Sequence, residues 1–188
     1  MTMTPHRLTP ENSSLVVIDI QEKLLVKLPH AAALVKNAGF LIDAAVLLGI
    51  PVLATEQYPK GLGPTTAEIA RRLPSPATSK TAFSCCGAGT FLEELRMLQR
   101  HNVVVVGAET HVCVQQTTLD LLAAGLHVVV AADAVDGWGA TDHSVALSRM
   151  ERAGATISTA EAVAFEWVRD SAHPQFKAVS QLVVARRG

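Results

Sequence analysis

The sequence predicts an α/β fold, a three-layer α/β/α sandwich around a mostly parallel, doubly wound sheet of about six strands. Three observations predict it. Short β-branched runs alternate with longer stretches of helical period. The runs are almost continuously apolar, as strands covered on both faces are. Residues that tolerate a left-handed conformation, Gly49, Gly125 and Gly154, stand where three of the helices should stop.

In chain order, residues 15–20, 51–55, 103–107, 127–132 and 155–159 read as strands, and 75–83 can add an edge strand. Helical period covers residues 31–48, 65–73, 90–100, 112–124 and 141–153, with closing helices over 160–169 and 174–185. Strand and helix alternating at this spacing require right-handed crossovers, which produce a parallel sheet with helices on both faces. Residues 1–12, polar and carrying Pro5 and Pro10, read as an N-terminal arm, and 13–188 as a single domain without linker or repeat.

Composition narrows the function classes. Seventeen acidic and sixteen basic residues are scattered along the chain, so no basic stripe is available to track a phosphate backbone, and nucleic acid is not an expected partner. No apolar run reaches the ~18–20 residues of a spanning helix, and no signal-peptide pattern opens the chain, so no membrane partner is expected. Three cysteines cannot all pair within one chain, and none has zinc-site spacing, which points to free thiols in a reducing, cytoplasmic compartment.

Open α/β sheets bind ligands beyond the carboxyl ends of their strands, and three residues fall there. Asp19 ends the first strand in Leu-Val-Val-Ile-Asp-Ile-Gln, where an ionised carboxylate would need a partner. Lys80 lies in the edge segment; a lone Lys is ordinarily a solvated surface charge. Cys113 follows the strand at 103–107 and opens a helix, whose N-terminus lowers a thiol pKa; the bland alternative is a small buried hydrophobe. Together they form the set that activates sulfur: Asp19 to accept and return the thiol proton, Lys80 to hold the thiolate and keep the carboxylate charged. Cys85 and Cys86, adjacent and unsuited to a mutual disulfide, read as spectator thiols. His111 is two residues from Cys113 and suits a pocket wall better than a base. Gln21, Tyr58 and Phe83 flank these motifs and read as further walls.

Asp-Ile-Gln at 19–21, Lys80-x-x-Phe83 and Gly-Ala-Glu-Thr-His-Val-Cys-Val at 107–114 resemble the three motifs of the isochorismatase-like cysteine hydrolases. The segments Glu-Gln-Tyr-Pro-Lys-Gly-Leu-Gly at 56–63, Glu161-Ala-Val and His-Pro-Gln-Phe-Lys at 173–177 resemble the isochorismatase-domain-containing subgroup. The resemblance implies Asp19, Lys80 and Cys113 as catalytic triad. It also implies a non-proline cis peptide at Ala108–Glu109, which would aim the amides of Glu109 and Cys113 at an oxyanion. Nicotinamidases carry an Asp-x-His-x-His metal cluster after the second strand; this chain has Thr-Glu-Gln-Tyr-Pro there, so neither a catalytic metal nor another cofactor is expected. Trp138, in a stretch where many relatives place Ser-Arg, implies a differently shaped lip to the pocket. The function expected is hydrolysis of a small amide or related acyl compound through a Cys113 thioester. The alternatives are vinyl-ether hydrolysis of an isochorismate-like molecule with Asp19 as acid, or a catalytically silent binding protein. A homo-oligomer, dimer or larger, is expected because relatives are commonly oligomeric.

Overall fold

Six parallel strands form the middle layer of the computed structural model, which describes residues 7–187. They are β1 (Ser13–Ile18), β2 (Val52–Gln57), β3 (Thr78–Lys80), β4 (Asn102–Ala108), β5 (His127–Asp136) and β6 (Thr156–Ser158). Their spatial order is β3-β2-β1-β4-β5-β6. The chain therefore winds outward from β1 in one direction, then crosses back and winds outward from β4 in the other. The helices are α1 (Glu22–Leu25), α2 (Ala31–Leu47), α3 (Pro59–Leu62), α4 (Ala67–Ala70), α5 (Phe91–Met97), α6 (Gln115–Ala123), α7 (Ala140–Arg152), α8 (Ala160–Val168) and α9 (Phe176–Arg187).

Successive side chains of a strand point to opposite faces, and the two cores divide accordingly. Leu15, Val17, Val104 and Val106 pack with α2, α8 and α9, where Leu41 and Trp167 are fully buried. Val16, Ile18, Val103 and Val105 pack on the other face with Phe91, Leu95, Leu121 and Met150 of α5, α6 and α7. The α/β/α sandwich is the expected one, and the near-continuous apolar runs have the expected cause: every residue of β1 and β4 is buried. No helix of the described residues is long and apolar enough to cross a membrane.

The boundaries differ from expectation where backbone geometry intervenes. β1 ends at Ile18 because Asp19 turns into the left-handed region at φ 51°. β2 continues to Gln57 and is joined by β3 in parallel, with Gln57 beside Lys80. The helix expected over 65–73 is a single turn, α4. β5 runs on to Asp136 through a bulge: between Val105↔Val130 and Gly107↔Val135, β4 advances two residues while β5 advances five. Within that bulge Asp133 accepts a hydrogen bond from the Ala160 amide (2.7 Å) at the start of α8. Of the stretch read as an arm, residues 7–12 are described; Leu8 is buried in the first core, and its amide donates to Glu166 (2.8 Å).

Gly107 sets how closely the ends of β1 and β4 approach. At φ 132°, a β-carbon placed on it would lie 2.0 Å from the carbonyl oxygen of Ile18. Gly125 has φ 83° but open space around it. Gly107→Ala is therefore expected to lower the unfolding free energy by about 3 kcal/mol or more, against about 1 kcal/mol for Gly125→Ala, which meets backbone strain alone. Urea titration of both variants measures the difference; equal costs would show that the β1–β4 junction tolerates the extra methyl group.

Candidate active site

The reversal of winding between β1 and β4 opens a crevice at their carboxyl ends, where loops leave the sheet in opposite directions. Asp19 leaves β1 there, Lys80 closes β3, and Cys113 follows β4 in a wide π-type turn over Thr110–Val114. The Ala108–Glu109 peptide bond is cis. Ala108 is the last, fully buried residue of β4 and pairs with Asp136. The Glu109 carbonyl accepts from the amides of Val112 (3.0 Å) and Val114 (3.2 Å), which curls the chain so that Cys113 faces back toward the strand ends.

Asp19 and Lys80 form a fully buried ion pair, Nζ to Oδ2 at 2.6 Å, with both side chains sealed from water. Each charge has further partners, as a buried charge requires. The other carboxylate oxygen accepts from the Thr55 hydroxyl (2.8 Å). Besides Asp19, Lys80 Nζ donates to Gln57 Oε1 (2.8 Å) and to the carbonyls of Phe83 (2.9 Å) and Ala82 (3.3 Å). An ammonium has three protons, and protein oxygens take them all. Lys80 thus has no proton left to hydrogen-bond a thiolate, the role expected of it from the sequence; it pairs with the carboxylate and favours the thiolate through its charge alone.

The thiol of Cys113 is buried, and the Asp19 carboxylate acts on it from nearby. Burial pushes it up to about 12, and the charge of Asp19 adds to the rise, while Lys80 opposes it. This overturns the expectation of a thiol lowered by a helix N-terminus. Desolvation and the adjacent carboxylate both act against the thiolate, and Cys113 sits in the turn that precedes α6. The resting site is a neutral thiol facing an ionised carboxylate.

The expected pocket walls are distributed differently. Gln21 is fully buried: its amide nitrogen donates to the carbonyls of Gln57 (3.0 Å) and Gly63 (2.5 Å), and its oxygen accepts from the Gln57 amide (2.8 Å). It is a clamp between the ends of β1 and β2, not a wall. Tyr58 and Phe83 are about half exposed, and it is the Phe83 carbonyl, not its ring, that reaches the ion pair. Tyr58 lines a cleft of about 430 Å³ with Lys80 and the Gly87–Gly89 loop. Trp138 is largely exposed, and Lys27 Nζ lies 5.6 Å from its ring centroid. His111 packs against Gly137, its Nδ1 buried without a hydrogen-bond partner among the described residues. Glu56, the one carboxylate in the segment where nicotinamidases bind metal, accepts from the Thr65 amide (2.6 Å) and hydroxyl (2.7 Å).

Two residues that contact the ion pair, Thr55 and Gln57, escaped the sequence reading, and Cys85 was read only as a spectator thiol. Thr55 and Gln57 were detectable in principle. They are polar residues two apart at the end of an apolar strand, a period that places both on one face. Cys85 had no such signal. Its sulfur lies 3.4 Å from the Thr55 hydroxyl, and burial raises its thiol to about 11. Cys85 thus touches the site through Thr55, whereas Cys86 is only partly buried.

A family model described as Isochorismatase domain matches residues 13–162. Isochorismatase domain-containing protein 2A of Mus musculus is 40% identical over 178 residues, covering 94% of this chain and 85% of the mouse protein. The solved structure of MAR1 ribonuclease from Caenorhabditis elegans superposes with a TM-score of 0.90 at 43% identity, covering 95% of this chain and 93% of that one. The YcaC gene product of Escherichia coli, described as an octameric hydrolase of unknown specificity, shares the fold at a TM-score of 0.89 and 23% identity, over 98% and 95% of the two chains. With a family model spanning most of its length and relatives at this identity over nearly all of it, the chain belongs to the isochorismatase family.

Proposed function

We propose that the protein hydrolyses a small amide or related acyl compound, with Cys113 as nucleophile and Asp19 as the group that takes and returns its proton. One observation carries this reading: the Cys113 thiol is buried beside Asp19, a carboxylate paired with the Lys80 ammonium at 2.6 Å. A thiol pushed up to about 12 is not a free-standing thiolate. Its proton therefore passes to Asp19 as sulfur bonds to the substrate carbonyl carbon, so that charge moves from carboxylate to oxyanion without an isolated thiolate. The amides of Glu109 and Cys113, at either end of the turn that begins with the cis peptide, are the proposed oxyanion donors. When the tetrahedral adduct collapses, the protonated Asp19 gives its proton to the leaving group. Water, deprotonated by the regenerated carboxylate, then cleaves the thioester, and the proton on Asp19 returns to sulfur.

The C. elegans relative is described as a ribonuclease, which names a competing substrate class. Two features favour the acyl reading. Lys80 offers no free proton to a phosphate, and basic residues do not outnumber acidic ones. A homo-oligomer in a reducing, cytoplasmic setting completes the proposal. Its supports are the three free thiols and the apolar surface at Val184 and Val145, and sedimentation velocity at micromolar protein tests the assembly; a monomer would remove that part.

In a screen of small amides and esters with RNA alongside, Cys113→Ala and Asp19→Asn are each expected to cut turnover by about a hundredfold or more with the fold intact by circular dichroism. Undiminished hydrolysis in Cys113→Ala would sink the nucleophile assignment, and RNA cleavage lost in both variants would redirect the substrate class.

Iodoacetamide alkylation, read at each cysteine by peptide mass spectrometry, tests the resting state. Wild-type Cys113 is expected to react with a rate that climbs only well above pH 9, toward its thiol value of about 12. The charge of Asp19 raises that value; Asp19→Asn removes the charge while Lys80 still favours the thiolate. The midpoint should therefore fall in Asp19→Asn, and alkylation at pH 8 should rise about tenfold per unit of the fall. A wild-type midpoint below about 8.5, the value of a free thiol, would contradict the neutral resting thiol.

A further inference from the structure

The ion pair is held from beside by the end of β2, whose polar side chains take no part in the proposed proton transfers. Thr55 and Gln57, two apart and on the same face of the strand, each take one member of the pair: Thr55 the carboxylate, Gln57 the ammonium. Register explains the placement. Thr55 pairs with Ile18, the residue before Asp19, and Gln57 pairs with Lys80 itself. Thr55 is buried, so no water can replace its hydroxyl.

A hydroxyl has one proton, and Thr55 gives it to Asp19 Oδ1. The contact between Thr55 Oγ1 and Cys85 Sγ at 3.4 Å must therefore run the other way, with the Cys85 thiol donating. Cys85 is equipped for this, because burial keeps it protonated at neutral pH, and its backbone amide is fixed by Thr117 Oγ1 at 2.9 Å. The result is a one-directional chain from the Cys85 thiol through the Thr55 hydroxyl to the Asp19 carboxylate. It ends on the oxygen that Lys80 does not hold.

We infer that Thr55, oriented by Cys85, is a positioning residue that fixes the Asp19 carboxylate and withdraws part of its charge, and so sets how readily Cys113 gives up its proton. The inference rests on the reading of Asp19 as the proton acceptor of Cys113. Without the Thr55 proton, Oδ1 keeps more of the negative charge and the carboxylate becomes a stronger acceptor for the Cys113 thiol. Both effects hold the thiol neutral. The charged and titratable groups facing this carboxylate are Lys80 from β3, Cys113 from the turn after β4 and, through Thr55, Cys85 from the loop after β3.

The test uses the full chain and iodoacetamide, so it needs no identified substrate. At pH 9, Thr55→Val, which keeps the shape and removes the hydroxyl, is expected to alkylate at Cys113 several-fold to tenfold more slowly than wild type. Thr55→Ser, which restores the donor, is expected to stay within about twofold of wild type. Added to Asp19→Asn, Thr55→Val should change nothing further, because its effect passes through the carboxylate. Thr55→Val reacting like wild type while Asp19→Asn reacts faster would overturn the inference and leave the parent reading standing. An equal slowing in the Asp19→Asn background would also overturn it, as a general packing effect. Asp19→Asn indistinguishable from wild type would instead bring down the parent reading. If Thr55→Val does not fold, Cys85→Ala decides: removing the thiol donor should slow Cys113 in the same direction by less, and no change in that variant overturns the inference.

Discussion

A lysine and an aspartate 2.6 Å apart, both sealed from water, dictate the rest of this site. Removing two charges from water costs several kcal/mol each, and the pair is tolerable only when every remaining proton and lone pair is met. That requirement reaches outward from the pair. It recruits the Thr55 hydroxyl, the Gln57 amide and the carbonyls of Ala82 and Phe83, and it needs the ends of β1, β2 and β3 in one register. Gln21 then clamps the end of β1 to that of β2 with three hydrogen bonds to backbone. The half of the site contributed by β1 to β3 is therefore a preorganised electrostatic block, rigid because its parts satisfy one another.

The sulfur comes from the other half of the sheet, and it is held differently. Cys113 has no hydrogen-bonded cation of its own; Asp19 raises its thiol pKa and the charge of Lys80 opposes the rise. The carboxylate consequently has two opposing effects. In the resting site it disfavours ionisation of the thiol, and in the proposed mechanism it takes the thiol proton during attack. A buried neutral thiol is protected from adventitious oxidation and alkylation, which proceed through the thiolate. Under the proposed mechanism the sulfur becomes reactive only when a substrate carbonyl is present to take the charge.

The sheet order makes the meeting possible. Because β1 and β4 are neighbours although 83 residues separate Ile18 from Asn102, the loops that follow them diverge and leave the crevice in which Asp19 and Cys113 face each other. Gly107 lets the two strand ends approach, and the bulge in β5 lengthens that strand to bring Asp136 beside Ala108, next to the cis peptide. The Asp136 carboxylate is itself engaged, accepting from the amides of His30 (2.7 Å) and Gly137 (2.9 Å), so the wall behind the turn is anchored to the loop before α2.

By itself the sequence determined the order of strands and helices, the burial of both sheet faces and the positions of Asp19, Lys80 and Cys113 at strand ends. Those features are local: apolar runs, stop glycines and short motifs are written in neighbouring residues. Tertiary structure alone decided how the protons are arranged. That Lys80 has none left for sulfur, that Cys113 rests as a thiol, that Gln21 is a clamp and that Cys85 stands behind Thr55 all depend on which side chains meet across three strands and on how completely water is excluded. Pairing register and burial are collective properties of the packed sheet, and the energies of buried charge and hydrogen bonding that set the protonation of this site exist only once that packing is complete.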